Sequence, residues 1–317
     1  DGDSVWRHLR ANGAGDDGDV PRIGCYALTG KSSFLSVVVH ALLRLPAVAL
    51  WLRQHVVSCD VDRCFVCGLW RSRSSLGSGR SAKAPALLEE LESYMCFSQF
   101  CDGESHPAVS FLREFLSSAC DLEEDQLRSV DFPGLPGTVL THVDRLFGFV
   151  VEQRIACHAC GGAGAVEQRY ALRRVLQVPP LRSEDEGRVW TTTELCYHFS
   201  FDREVDAQLE CSRCGGPTVH RGQLRVVTSP NVFFVEPGRG ADAEADRFVA
   251  YPVQPERDLT LPWLGDRYEL AGVVYRRGVR TTAAKYHCVV KCDDGRWWRF
   301  EDCLLYTSPS PRDLSTS

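Results

Sequence analysis

The feature that most constrains this chain is a pair of short cysteine turns, Cys157-His158-Ala159-Cys160-Gly161-Gly162 and Cys211-Ser212-Arg213-Cys214-Gly215-Gly216, with 50 residues between them. Two intervening residues are too few for most disulfides but suit two thiolate ligands of one ion. The glycine after each second cysteine lets the backbone curl around that ion, because glycine enters positive φ without a steric penalty. Four sulfurs in a tetrahedral array select zinc and leave no open coordination position. Cys157, Cys160, Cys211 and Cys214 are therefore expected to hold a structural Zn2+, and the fold must bring two distant segments together to do so.

A second cluster, His55-x3-Cys59-x4-Cys64-x2-Cys67, offers four more ligands of the types zinc prefers, with His55 and Cys59 one helical turn apart. Its spacing is less regular, and small buried thiols packed as apolar side chains suit the same residues. Fifteen cysteines, an odd number, accompany the single Met95, and paired Cys-x-x-Cys turns point to a reducing compartment. The expected location is intracellular, in cytoplasm or nucleus. Apolar and charged fractions of 44% and 25% exclude disordered and fibrous architectures for the chain as a whole. A net charge of -6 argues against a polyanion-binding surface, so nucleic acid is not an expected partner. The longest apolar run, residues 34–52, approaches the length of a membrane span but carries His40, Arg44 and Pro46. It reads as a buried helix broken at Pro46, and no membrane partner is expected.

Residues 1–20, rich in Gly and Asp, read as a disordered lead-in. Residues 304–317 turn abruptly to Ser, Pro and Thr and read as a non-native tail outside the fold. Ser32 and Ser33 are candidate N-caps for the apolar helix. Residues 87–97 and 109–116 carry helical apolar spacing. From about Leu146 short strands are expected, at residues 170–178, 195–201, 224–235, 247–253, 268–276, 286–291 and 297–300. Helices first and strands later predict an α+β protein. Gly24 to Ser32 approaches a phosphate-binding loop, but its spacing is one residue too long, its intervening side chains are bulky and no apolar strand precedes it. Nucleotide binding is not expected.

The run Gly30-Lys31-Ser32-Ser33-Phe34-Leu35-Ser36-Val37-Val38-Val39-His40-Ala41-Leu42 resembles the cysteine box of the ubiquitin-specific proteases. Further blocks keep the family's order: Ser105 to Leu112, Leu146-Phe147-Gly148, the two cysteine knuckles, Pro230 to Val235, and Tyr268 to Val274. Lys285-Tyr286 and Trp297-Trp298-Arg299-Phe300-Glu301-Asp302 resemble the histidine box and the turn that follows it. The likeness spans about residues 21–303.

This resemblance implies a papain-like cysteine-protease fold: a helical thumb at about residues 21–145, zinc-ribbon fingers at about 146–225 and a β palm at about 226–303. It also implies a ubiquitin or ubiquitin-like partner and hydrolysis of the bond after the ubiquitin C-terminal glycine. Here each chemical position has changed. Ser33 stands at the nucleophile position, Leu28 at the oxyanion position, Lys285 at the base position and Glu301 at the orienting position, with His287 serving as base if the strand register shifts. A hydroxyl, unlike a thiol, has almost no anion at neutral pH and needs an adjacent base. The expected function is thus ubiquitin binding without efficient cleavage. An active deubiquitinase and a zinc-stabilised scaffold with no ubiquitin affinity are the alternatives. The family carries one more strand after the orienting turn, and its loss would leave the edge of the palm sheet unpaired.

Overall fold

The computed structural model describes residues 26–27, 33–61, 64–77, 82–83, 91, 94–102, 106–124, 135, 140–161, 167–178, 187–200, 203–211, 213–238, 241–242, 247–248, 252–261, 263–277, 285–292, 295–301 and 304–306. Its helices are α1 Ser33–Leu43, α2 Pro46–Ser58, α3 Phe65–Gly77, α4 Ala108–Glu124, α5 His142–Phe147 and α6 Thr192–Phe199. One four-stranded sheet contains β1 Phe149–Cys157, β2 Glu167–Arg173, β3 Arg203–Cys211 and β4 Gly216–Val226, in the order β2-β1-β4-β3. The other contains β5 Gly272–Arg277, β6 Lys285–Lys291, β7 Trp297–Glu301 and β8 Leu304–Tyr306, in sequence order. Every pairing in both sheets is antiparallel. The chain forms two compact units, one of Asp1–Ala119, Ala241–Val249 and Leu270–Ser317, the other of Cys120–Gly240 and Ala250–Glu269.

In the first unit the apolar run breaks where Pro46 predicts. α1 and α2 meet at 91°, and Pro46 occupies the first turn of α2, where its missing N–H costs nothing. No single helix among the described residues is long and apolar enough to cross a membrane. α1 is buried on nearly every side: Phe34, Leu35, Val37, Val38, Val39, Leu42 and Leu43 lie inside, with Ser33, Ser36 and His40 among them. Strand alternation puts Cys288, Val290, Trp298 and Phe300 on one face of the sheet. The His40 ring stacks on Phe300 at 4.3 Å between centroids, which places α1 on that face. Phe34 also touches Phe100 and Phe111, the entry to an aromatic cluster that includes Phe65, Phe97 and Phe115. Gly272 starts β5 opposite Val290, where a Cβ would come within 2.8 Å of the valine Cγ1.

Two expectations change here. Residues 304–306, set apart by composition, pair with β7 as β8, so the edge expected to be bare is covered along Arg299–Glu301. Of the helix expected at 87–97, the described part is Leu91 and a short 3₁₀ turn, Met95–Phe100.

The second unit is centred on Phe149, Val151, Val226, Leu176, Val178, Leu195 and Phe199. Residues 195–201, expected as a strand, instead belong to α6, which runs to Phe199. Thr191 and Glu194 form a capping box: the threonine hydroxyl accepts from the Glu194 N–H at 3.1 Å, and the glutamate carboxylate accepts from the Thr191 N–H at 2.8 Å. Leu195, Cys196 and Phe199 then fall on one buried helical face. The cap overrides the strand preference of the aromatic residues. Thr141 and Asp144 cap α5 in the same way, and Arg174 Nε donates to the buried Asp144 carboxylate at 2.8 Å.

These contrasts set a scale for substitution. Phe111→Ala should lower unfolding stability by about 3–5 kcal/mol, the cost of a buried aromatic cavity. Thr191→Ala should cost only about 1 kcal/mol, the value of a helix cap. Denaturant unfolding of the two variants checks the order.

Candidate functional site

Ser33 opens α1 with its side chain 1% exposed. Its Oγ does not project into solvent: it accepts a hydrogen bond of 3.1 Å from the backbone N–H of Tyr286 in β6. The flanking residues divide sharply. Lys285 carries an exposed side chain, whereas His287 is 1% exposed and its ring stacks on Tyr275, its cross-strand partner in β5, at 5.5 Å. Lys285 and His287 share a sheet face and lie roughly 6.6 Å apart along the strand. β6 and β7 pair Cys288 with Phe300, so Glu301 is level with His287 and Lys285 is two residues further along. The side chain of Glu301 and the whole of Leu28 lie outside the described residues.

One turn of α1 after Ser33 begins a set of fully enclosed positions that includes His40. Burial, with the Arg44 guanidinium adding repulsion, lowers the His40 pKa to about 3. The imidazole is neutral at physiological pH and serves as a flat packing partner for Phe300. Its spacing in the apolar helix made it look like an interruption in the sequence; only the stack reveals its role.

The cysteine knuckles assemble as their spacing requires. β1 and β4 are antiparallel with Cys157 opposite His220, so the end of β1 lies beside the β3–β4 turn that carries the second knuckle. Gly161 and Gly215 take φ of 61° and 72°, the left-handed conformation expected after each second cysteine. Cys157 and Cys214 sulfurs are 3.9 Å apart, and those of Cys160 and Cys211 are 3.7 Å apart. A tetrahedron with Zn–S bonds of about 2.3 Å has edges of about 3.8 Å, which these two separations match. The Thr218 hydroxyl, 3.1 Å from Cys157 Sγ, draws that thiol down to about 6, helped by the Cys160 N–H. Cys214, crowded by the Cys211 sulfur, is pushed up to about 12. Thr218 had no ligand signature in the sequence; strand register alone brings it to the site.

His55, Cys59, Cys64 and Cys67 also converge, each offering a ligand atom within 4.8 Å of every other. Both predicted clusters are therefore real groupings of side chains that could hold a metal ion.

A family model described as ubiquitin carboxyl-terminal hydrolase matches residues 26–313. The chain belongs to the ubiquitin carboxyl-terminal hydrolase family. It is similar to ubiquitin carboxyl-terminal hydrolase 15 of Arabidopsis thaliana, 25% identical over 303 residues that cover 90% of this chain and 31% of the relative. It is also similar to the probable ubiquitin carboxyl-terminal hydrolase 16 of Schizosaccharomyces pombe, 22% identical over 309 residues covering 90% of this chain and 63% of that protein. The chain thus spans less than two thirds of the length of either family relative. Among solved structures, the SAGA DUB module containing Ubp8 and bound to monoubiquitin matches with a TM-score of 0.73 at 16% identity, covering 98% of this chain and 71% of that one. The same module bound to ubiquitin aldehyde matches with a TM-score of 0.69 at 16% identity. These likenesses establish the papain-like fold.

The buried imidazole of α1 yields a pH prediction. His40 binds its proton at about pH 3 in the folded chain, against 6.5 for an ordinary histidine. The unfolded state therefore holds the extra proton between those values, and stability falls as pH drops from 6.5 towards 3, by at most about 1.4 kcal/mol per pH unit from this group. Denaturant unfolding of wild type and His40→Gln across that range should show a shallower acid slope in the variant.

Proposed function

We propose that this chain is a hydrolase-family domain that binds ubiquitin or a ubiquitin-like protein without efficient cleavage. The observation that carries the reading is the state of Ser33. Its buried Oγ is engaged by the Tyr286 N–H, while the residue at the base position is an exposed lysine. A serine needs a base within about 3 Å to become a nucleophile. The solved modules captured with ubiquitin aldehyde and with monoubiquitin support ubiquitin as the partner of the shared fold. Cys157, Cys160, Cys211 and Cys214 would hold a structural zinc ion, which ties the end of β1 to the β3–β4 turn and leaves no position for chemistry.

Turnover of a fluorogenic ubiquitin C-terminal amide tests this reading. Wild type should be indistinguishable from buffer. Ser33→Cys alone should stay inactive, since nucleophile, base and oxyanion donor act as a unit. Ser33→Cys with Lys285→His should exceed either single variant. One observation favours a second reading, residual hydrolysis with His287 as base: Glu301 is level with His287. Wild-type turnover lost in both Ser33→Ala and His287→Ala would establish that reading and overturn the first.

A further inference from the structure

We propose that His55, Cys59, Cys64 and Cys67 form a second, closed zinc site that staples the end of α2 to the start of α3. The four donors come from three stretches of backbone. His55 lies in the last turn of α2, and Cys59 follows that helix in an extended conformation, φ -86° and ψ 123°. Cys64 immediately precedes α3, its carbonyl accepting from the Gly68 N–H at 3.0 Å, and Cys67 lies in the first turn. His55 Nε2 is 3.2 Å from Cys64 Sγ, and all four ligand atoms lie within 4.8 Å of one another.

Packing alone does not account for this convergence. Side chains that merely fill space have no reason to bring a ring nitrogen and three sulfurs within 4.8 Å of one another. A tetrahedral zinc with one nitrogen and three sulfurs needs N···S separations of about 3.5 Å and S···S separations of about 3.8 Å. No pair of ligand atoms in the cluster exceeds those distances by more than about 1.3 Å. The N–H groups of Val66 and Cys67 point at the Cys64 sulfur, and the positive end of the 13-residue α3 lies beside it. Trp51 lies against the His55 ring at 6.4 Å, and Tyr94 accepts from the Phe65 N–H at 3.2 Å, so aromatic side chains close the site on the core side. His55 and Cys64 are 6% and 1% exposed. Four protein ligands leave no open position, so the ion would be structural.

Of the residues between α2 and α3, the described ones, 59–61 and 64, lie outside helices and strands. A bound ion would fix the end of α2 against the start of α3, and its binding energy would be folding energy. The site is independent of ubiquitin binding and of the state of Ser33.

The test is metal content with ligand identity on the reduced, zinc-supplied protein. Native mass spectrometry should give two zinc ions per chain. X-ray absorption at the zinc edge should show seven sulfurs and one nitrogen shared between two ions. Cys64→Ser/Cys67→Ser should lose one ion and keep an all-sulfur shell; Cys157→Ser/Cys160→Ser should lose the other and keep a mixed one. One ion per wild-type chain with an all-sulfur shell overturns the proposal, and so do two ions with no nitrogen. The wild-type absorption measurement decides even if a variant fails to fold.

Discussion

The backbone N–H of Tyr286 and the hydroxyl of Ser33 meet at the point where the buried helix α1 begins and the hairpin strand β6 passes it. A buried backbone N–H and a buried hydroxyl each need a partner, so this contact removes an electrostatic cost as well as fixing register. Its net value is about 1 kcal/mol, whereas each of the apolar side chains that α1 buries contributes about 1.5–3 kcal/mol. Packing therefore supplies the stability. The hydrogen bond decides how α1 is placed along β6, and with it where Ser33 stands relative to Lys285 and His287.

That placement rests on packing around α1 rather than on any catalytic contact. The aromatic cluster at Phe34 and Phe111, the stack of His40 on Phe300 and the close crossing at Gly272 hold α1 and its sheet. In the second unit, the knuckle sulfurs gather at the far end of the β1–β4 sheet, two pairs of them at the separation of a tetrahedral zinc site. Both devices preserve shape. Neither requires a thiolate nucleophile or an imidazole base.

Much of this was legible in the sequence where a local rule had a single outcome. Cys-x-x-Cys followed by glycine specifies a knuckle, and Pro46 inside an apolar run specifies a break. Less was legible where two signals competed. Tyr197 and Phe199 favour a strand, but Thr191 and Glu194 cap a helix through them, and the cap together with the buried face of Leu195 and Phe199 prevails. Residues 304–306 carry a composition that breaks from the fold, yet the edge of β7 offers unpaired backbone groups that Leu304–Tyr306 satisfies. The alignment of Glu301 with His287 was beyond reach, because a strand pattern of period two leaves the partner residue undetermined until the register is known.

The central claim is that the domain recognises ubiquitin and leaves it whole. A titration of isotope-labelled ubiquitin bearing a C-terminal amide, followed by NMR, measures both parts at once. The account predicts saturable shifts at one-to-one stoichiometry with the C-terminal glycine signal of the amide unchanged over the course of the experiment. No shift at high micromolar protein, or replacement of that signal by the free carboxylate form, would contradict it.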